Sequence, residues 1–209
     1  MPQFITFEGG EGSGKTTQIK LLAEFLTKKN QPVVTTREPG GSQGAELIRE
    51  LLVSGAADRW SSKAELLLMY AARADHCDQL IKPALYEKKW VICDRFADSS
   101  IAYQGYGRGI DLEFLNALYQ FTVGDLVPFK TFILDVDPEV GLKRSHARLQ
   151  SLNKDNIEGR FESLDLEFHQ RVRRGFLDIA QKNPHRCIVL SSMQTPEDLH
   201  RQIIQNLTV

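Results

Sequence analysis

Several things are scarce in this 209-residue chain, and each shortage narrows its function. It has three cysteines, at positions 77, 93 and 187. An odd number without Cys-x-x-Cys spacing argues against both a disulfide framework and a zinc cluster, and points to reduced, buried thiols. Neither sign of charge is in excess, since 26 Lys plus Arg stand against 27 Asp plus Glu for a net charge of −1. The broad basic surface that nucleic-acid binding requires is therefore not expected, and any anionic partner must be gripped locally. No apolar run approaches the ~18 residues that span a bilayer, and no leader-like segment is visible around Gln3-Phe4-Ile5-Thr6-Phe7. Repeats, low-complexity tracts and interdomain linkers are also missing. Residues 1–209 thus read as one cytoplasmic domain, with no nucleic-acid or membrane partner, long enough to bury a substantial core.

What is present is a regular alternation of short β-rich runs and longer helical patterns. Strands are expected at 3–7, 33–36, 90–93, 131–136 and 187–190. Helices are expected at 16–29, 42–53, 63–87, 111–121, 138–149, 162–181 and 196–207. Pro83 lies inside the 63–87 pattern and is a candidate kink. Strands separated by helices of ten or more residues imply right-handed crossovers. The fold class is therefore α/β, a five-stranded parallel sheet flanked by helices. The polar stretch 150–160 breaks the alternation. It is either a plain exposed connection or, as a long connection in a compact enzyme, a mobile lid spanning about 148–161.

The strongest motif is Gly9-Gly10-Glu11-Gly12-Ser13-Gly14-Lys15-Thr16, a G-x-x-x-x-G-K-[ST] pattern directly after a strand and opening a helix. Its glycines let backbone N–H groups turn around phosphates, and the helix N-terminus adds partial positive charge. Lys15 would reach the β- and γ-phosphates and Thr16 would ligate Mg²⁺, so a nucleoside triphosphate is the expected ligand. A guanine-reading Asn-Lys-x-Asp is absent, which disfavours a switch GTPase and leaves a small kinase with a second pocket for an acceptor. Arg37 and Arg95 each follow a strand, at the sheet edge where open α/β folds place ligands. Arg73 lies mid-helix in an apolar pattern, while Arg148 and Arg160 flank the lid. None of the five histidines sits in a nucleophile-activating motif, so they read as surface or packing residues.

The loop from Gly9 to Thr17, Arg37-Glu-Pro-Gly-Gly41, Tyr70-Ala-Ala-Arg73, Asp94 through Gln104, Gly107-Arg-Gly109 and Leu134 through Leu142 occur in one order along nearly the whole chain. Together they resemble the bacterial thymidylate kinase family. The resemblance implies a P-loop NTPase fold, transfer of the ATP γ-phosphoryl group to dTMP, Mg²⁺ as cofactor and a homodimer, for which the 63–87 helix offers an apolar face. It also assigns residues. ATP falls to the Gly9–Thr17 loop. The dTMP phosphate falls to Arg37 and Arg95, and thymine O4 to Arg73. Ser100 reads the base edge, with Ser99 and Gln104 in the same segment. Tyr103 crowds the sugar 2′ position, Glu11 lies near the 3′-hydroxyl, and Asp94 contacts Mg²⁺ together with Thr16. Met69 stands where the family has a Phe stacked on thymine, and a thioether packs against a ring. The phosphate loop holds no arginine, which implies the subgroup whose catalytic arginine lies in the lid, with Arg148 and Arg160 both as candidates beside Lys15 and Arg95. The alternatives are a related nucleoside monophosphate or deoxynucleoside kinase with another acceptor, and a nucleotide-dependent switch that binds a protein. Arg37, Arg73, Arg95 and Tyr103 have no evident use in a switch.

Overall fold

Five short apolar strands form the frame: β1 (Phe4–Glu8), β2 (Val33–Arg37), β3 (Trp90–Asp94), β4 (Lys130–Asp135) and β5 (Cys187–Ser191). The structure is a computed structural model and describes residues 3–151 and 159–207. The strands pair in the order β2-β3-β1-β4-β5, all parallel. Asp94 is in register with both Phe7 and Arg37, so the carboxyl ends of β1, β2 and β3 finish side by side.

The pleat sorts side chains between two cores. Ile5, Phe7, Ile92, Phe132 and Leu134 face one way and pack on Leu22, Leu26 and Ile203. Phe4, Val91 and Cys93 face the other way and meet Cys77, Ile81 and Phe96, while Ile133 meets Phe168, Val172 and Phe176. Such alternation with both faces covered is what a parallel sheet requires. All three cysteines are buried and free.

The covering helices are α1 (Lys15–Lys28), α2 (Gln43–Val53), α3 (Ser62–His76), α4 (Lys82–Tyr86), α5 (Ala97–Ser100), α6 (Leu112–Thr122), α7 (Pro138–Ser151), α8 (Leu166–Lys182) and α9 (Pro196–Gln205). Ser42, Ser61, Asp111, Asp165 and Thr195 cap α2, α3, α6, α8 and α9, each side chain accepting a backbone N–H three residues on. Each such cap contributes about 1 kcal/mol.

The structure departs from the sequence pattern in three places. The expected single helix over 63–87 is α3, a π-helical stretch at Cys77–Ile81 and α4, with the Lys82 N–H bonded to the Cys77 carbonyl. Pro83 has no N–H for the ladder, and the wider turn falls just before it. The helix expected from 162 begins at Leu166, because the Asp165 side chain accepts from the Phe168 N–H at 2.6 Å and fixes the start there. The Asp94–Gly109 segment, which periodicity left unassigned, folds as α5 and a second π-helical stretch at Ile101–Gly107. Of the expected lid at 148–161, residues 152–158 lie outside the described residues.

Candidate active site

The loop between β1 and α1 needs its glycines. Gly9, Gly12 and Gly14 have φ of 132°, 63° and 89°, a region that side chains rarely adopt. A Cβ on Gly12 would stand 2.1 Å from the Gly141 carbonyl oxygen, and one on Gly141 would stand 2.3 Å from that of Glu11. The loop therefore lies directly on the first turn of α7. Across it runs Lys15, whose Nζ donates to the carbonyls of Gly9 (3.2 Å) and Gly10 (2.9 Å) and to Ser13 Oγ (3.3 Å). Burial, and then the nearby Arg95 charge, lower the Lys15 pKa to about 8 against the pull of Asp94, Glu11 and Glu8. At the start of α1 the Thr16 hydroxyl donates to Asp94 Oδ2 at 3.2 Å, joining the first turn of α1 to the end of β3.

Arg95 follows β3 with φ of 70°, a conformation that costs a non-glycine residue about 1–2 kcal/mol. Its backbone N–H donates to the Phe7 carbonyl at 2.9 Å. Its Nη1 donates to the Gly9 carbonyl (2.9 Å) and Ser99 Oγ (3.2 Å), and its Nη2 to Glu11 Oε1 (2.8 Å). The guanidinium lies 5.0 Å above the Tyr103 ring, whose hydroxyl donates to the same Glu11 oxygen at 2.6 Å. Burial alone would raise the Glu11 pKa, but Arg95, Lys15 and the Tyr103 hydroxyl hold it at about 2. Beneath this cluster sits Glu8, which accepts from the Phe96 N–H at 2.8 Å and the Ser99 hydroxyl at 2.5 Å. Burial and then the Asp98 charge push Glu8 up to about 8.

Arg37 ends β2 half exposed, donating to Glu46 Oε2 at 2.9 Å. Arg73 on α3 is buried. Its Nε donates to Glu38 Oε2 (2.7 Å), its Nη2 to the Phe96 carbonyl (3.1 Å), and the guanidinium lies 4.7 Å over the Tyr70 ring. Its Nη1 is buried without a partner. A buried donor left unmatched costs about 1–3 kcal/mol, so it marks a place where an acceptor is missing.

One open cavity of about 860 Å³ joins these groups. Glu11 through Thr17, Arg37, Met69, Arg73, Asp94, Arg95, Ser99, Ser100, Tyr103, Gln104 and Arg148 all line it. Gln104 also donates to Glu65 Oε1 at 3.1 Å. Gly9 and Gly10 instead back onto a small pocket behind the loop, beside His169. Arg160 is not in the cavity. Its side chain is fully buried and donates to Glu65 Oε2 (2.6 Å) and to the carbonyls of Leu52 (3.1 Å), Ala56 and Ala57 (both 3.3 Å), plugging the end of α2.

Sequence reasoning missed Arg144 and Glu162, which also line the cavity, and the supporting carboxylates Glu8 and Glu38. Glu162 accepts from the Ser145 hydroxyl at 3.0 Å, and burial followed by the Glu11 charge raises its pKa. Glu8 had one signal, a carboxylate at the inner end of an apolar strand. Two of the histidines read as surface or packing residues lie inside the fold. His76 is wholly buried and hydrogen-bonded on both ring nitrogens. His169 is buried behind the phosphate loop with Nε2 unpartnered.

The family model for thymidylate kinase matches residues 7–203. The chain is 52% identical over 189 residues to a thymidylate kinase of Caulobacter vibrioides, covering 90% of this chain and 88% of that one. It is 48% identical over 200 residues to one of Maridesulfovibrio salexigens, covering 96% and 92%. Its fold is similar to the crystal structure of thymidylate kinase from Ehrlichia chaffeensis, with a TM-score of 0.79 and 43% identity over 98% of this chain and 97% of that chain.

Proposed function

The chain belongs to the thymidylate kinase family, with a P-loop NTPase fold and the activity of transferring the ATP γ-phosphoryl group to dTMP, and from that premise we propose how its side chains divide the work. The Gly9–Thr17 loop cradles the ATP phosphates, and Lys15 turns from the loop carbonyls to the β- and γ-oxygens. Arg95 and Arg37 fork the dTMP phosphate, a geometry suited to guanidinium. That phosphate is already anionic, so the acceptor needs positioning rather than a strong general base. Arg73 Nη1 meets thymine O4, Met69 packs on the base, and Ser99, Ser100 and Gln104 border it. Tyr103 and Glu11 face the sugar. Arg148 is the lid arginine, supported by its place in the cavity lining, whereas the N–H groups of Arg160 are engaged at the end of α2.

Thr16 and Asp94 would hold Mg²⁺. One hydroxyl and one carboxylate 3.2 Å apart are hard oxygen donors that suit an ion taking its other ligands from phosphates and water. Among the described residues no three His, Cys, Asp or Glu side chains form a metal cage. When bound, Mg²⁺ supplies neutralisation of the charge between the β- and γ-phosphates. A homodimer is supported by Leu47, Leu51 and Leu67, which the packed helices α2 and α3 leave exposed. No described helix is long and apolar enough to cross a membrane, and a cytoplasmic site of action is part of the same proposal.

The observation that carries the acceptor reading is the orphaned Arg73 Nη1, a donor-only group that favours a ring carbonyl over an amino group. A coupled assay with ATP and Mg²⁺ should therefore show dTMP phosphorylated far better than dCMP or dAMP, whose bases carry an amino group at the corresponding edge. Equal turnover of dCMP would defeat the assignment. A second expectation concerns pH. The free enzyme needs Lys15 protonated, so kcat/KM for ATP should decline as pH rises through about 8. The corresponding break in kcat should lie higher, because bound phosphates favour the ammonium. Profiles that stay flat from neutrality to about pH 9.5 would show that Lys15 is not the required cation.

A further inference from the structure

We propose that His76 is a positioning residue for the acceptor base, acting through Glu38 to hold Arg73 in its reading orientation; this rests on the reading that Arg73 meets the base. His76 is wholly buried and touches no part of the cavity. Its Nδ1 lies 3.1 Å from Glu38 Oε1 and its Nε2 lies 2.7 Å from Thr36 Oγ1. The other Glu38 oxygen accepts from Arg73 Nε at 2.7 Å. A carboxylate bonded to an arginine only accepts, which assigns a hydrogen to His76 Nδ1, while the Thr36 hydroxyl can pair with Nε2 as either donor or acceptor. The contacts therefore converge on Glu38, which accepts from His76 at one oxygen and from Arg73 at the other.

The geometry shows why Arg73 needs this support. Its guanidinium must hold one particular nitrogen toward the cavity, although an arginine side chain has many rotamers. Nε and Nη2 are tied down by Glu38 and the Phe96 carbonyl, which leaves Nη1 as the free donor. Glu38 lies beyond β2 and is itself positioned by His76 from α3, the helix that carries Arg73 three residues earlier. The turn after Arg37 is built on the same pair. A Cβ on Gly41 would stand 2.4 Å from both His76 Nε2 and Thr36 Oγ1, so the backbone folds directly over their hydrogen bond. One buried imidazole thus braces both the base-reading arginine and the turn beside Arg37.

The test compares His76→Leu, which removes both contacts, with His76→Asn, whose amide can still donate to Glu38. Each is made in the wild-type chain and in an Arg73→Met background, with thermal melting to confirm folding. His76→Leu should raise the dTMP KM about tenfold, the loss of one well-placed hydrogen bond to a charged group, with the ATP KM unchanged and kcat within about twofold. His76→Asn should recover most of the loss. In the Arg73→Met background, His76→Leu should add less than about twofold, because the group it positions is gone. A parallel rise in the ATP KM, no recovery with His76→Asn, or a full tenfold effect on top of Arg73→Met would overturn the proposal. Failure of the underlying reading looks different: Arg73→Met alone would leave the dTMP KM at its wild-type value, and both claims would fall together.

Discussion

Lys15→Met is expected to lower kcat by about a thousandfold, or about 4 kcal/mol of transition-state stabilisation, while dTMP binding stays near its wild-type value. Lys15 is the one cation inside the phosphate loop, and its hydrogen bonds to Gly9, Gly10 and Ser13 park it beside the place to which it must turn to meet the charge that develops on the phosphates. Loss of fold will not account for the effect. Burial depresses the Lys15 pKa to about 8, below the usual lysine value. The folded state without nucleotide therefore disfavours the charged form, a penalty present below pH 8 and relieved as pH rises from there toward the unfolded value. A neutral, similarly shaped methionine removes that penalty, so the variant should melt no lower than the wild type at neutral pH. A variant that retained more than about a tenth of wild-type turnover would remove Lys15 from the catalytic role.

The second large effect is expected at Arg95. Arg95→Ala should raise the dTMP KM about a hundredfold and lower kcat as well, because a guanidinium on the acceptor phosphate both binds it and aligns it for in-line transfer. Arg95 pairs with Glu11 at 2.8 Å, so on the proposed assignment the acceptor phosphate takes the place of that carboxylate. On that assignment substrate binding exchanges one anion for another, and the carboxylate released is the one proposed to face the sugar. Removing Arg95 also leaves Glu11 buried without its main counter-charge, and its pKa should climb from about 2. That uncompensated charge costs stability. Arg95→Ala/Glu11→Gln should recover the melting temperature but not the KM. Steady-state kinetics on both variants separate the two roles, and unchanged constants for Arg95→Ala would show that it does not hold the acceptor phosphate.

How far the site could be read in the sequence depended on the kind of signal. The phosphate loop was legible because a Gly-rich strand-to-helix turn with Lys and Thr at fixed spacing has one physical use. The five parallel strands were legible from apolar runs separated by helical periods, and Arg37 and Arg95 stood out because each directly follows a strand. Glu8, Glu38 and His76 were not legible, because periodicity tells which face a residue occupies but not which distant charge it meets. Glu8 directly follows the strand expected at 3–7, yet its partners are Phe96 and Ser99, about ninety residues on. Arg160 shows the same limit in reverse. It follows a polar stretch and reads as a lid residue, but its partners lie at Leu52, Ala56, Ala57 and Glu65. The π-helical stretch at Cys77–Ile81 was invisible because the 63–87 helical pattern runs straight through it, and the one at Ile101–Gly107 because periodicity indicated no helix there. The start of α8 was available and overlooked, since an Asp before an apolar helical pattern is a capping signal.

The most direct test of the account is the crystal structure of this chain with dTMP bound. Arg73 Nη1 should lie about 3 Å from thymine O4, with Arg95 forked on the 5′-phosphate, Glu11 turned from Arg95 toward the sugar, and Met69 packed on the ring. A nucleotide seated with its phosphate away from Arg95, or with Arg73 Nη1 still unpartnered beside the base, would contradict it.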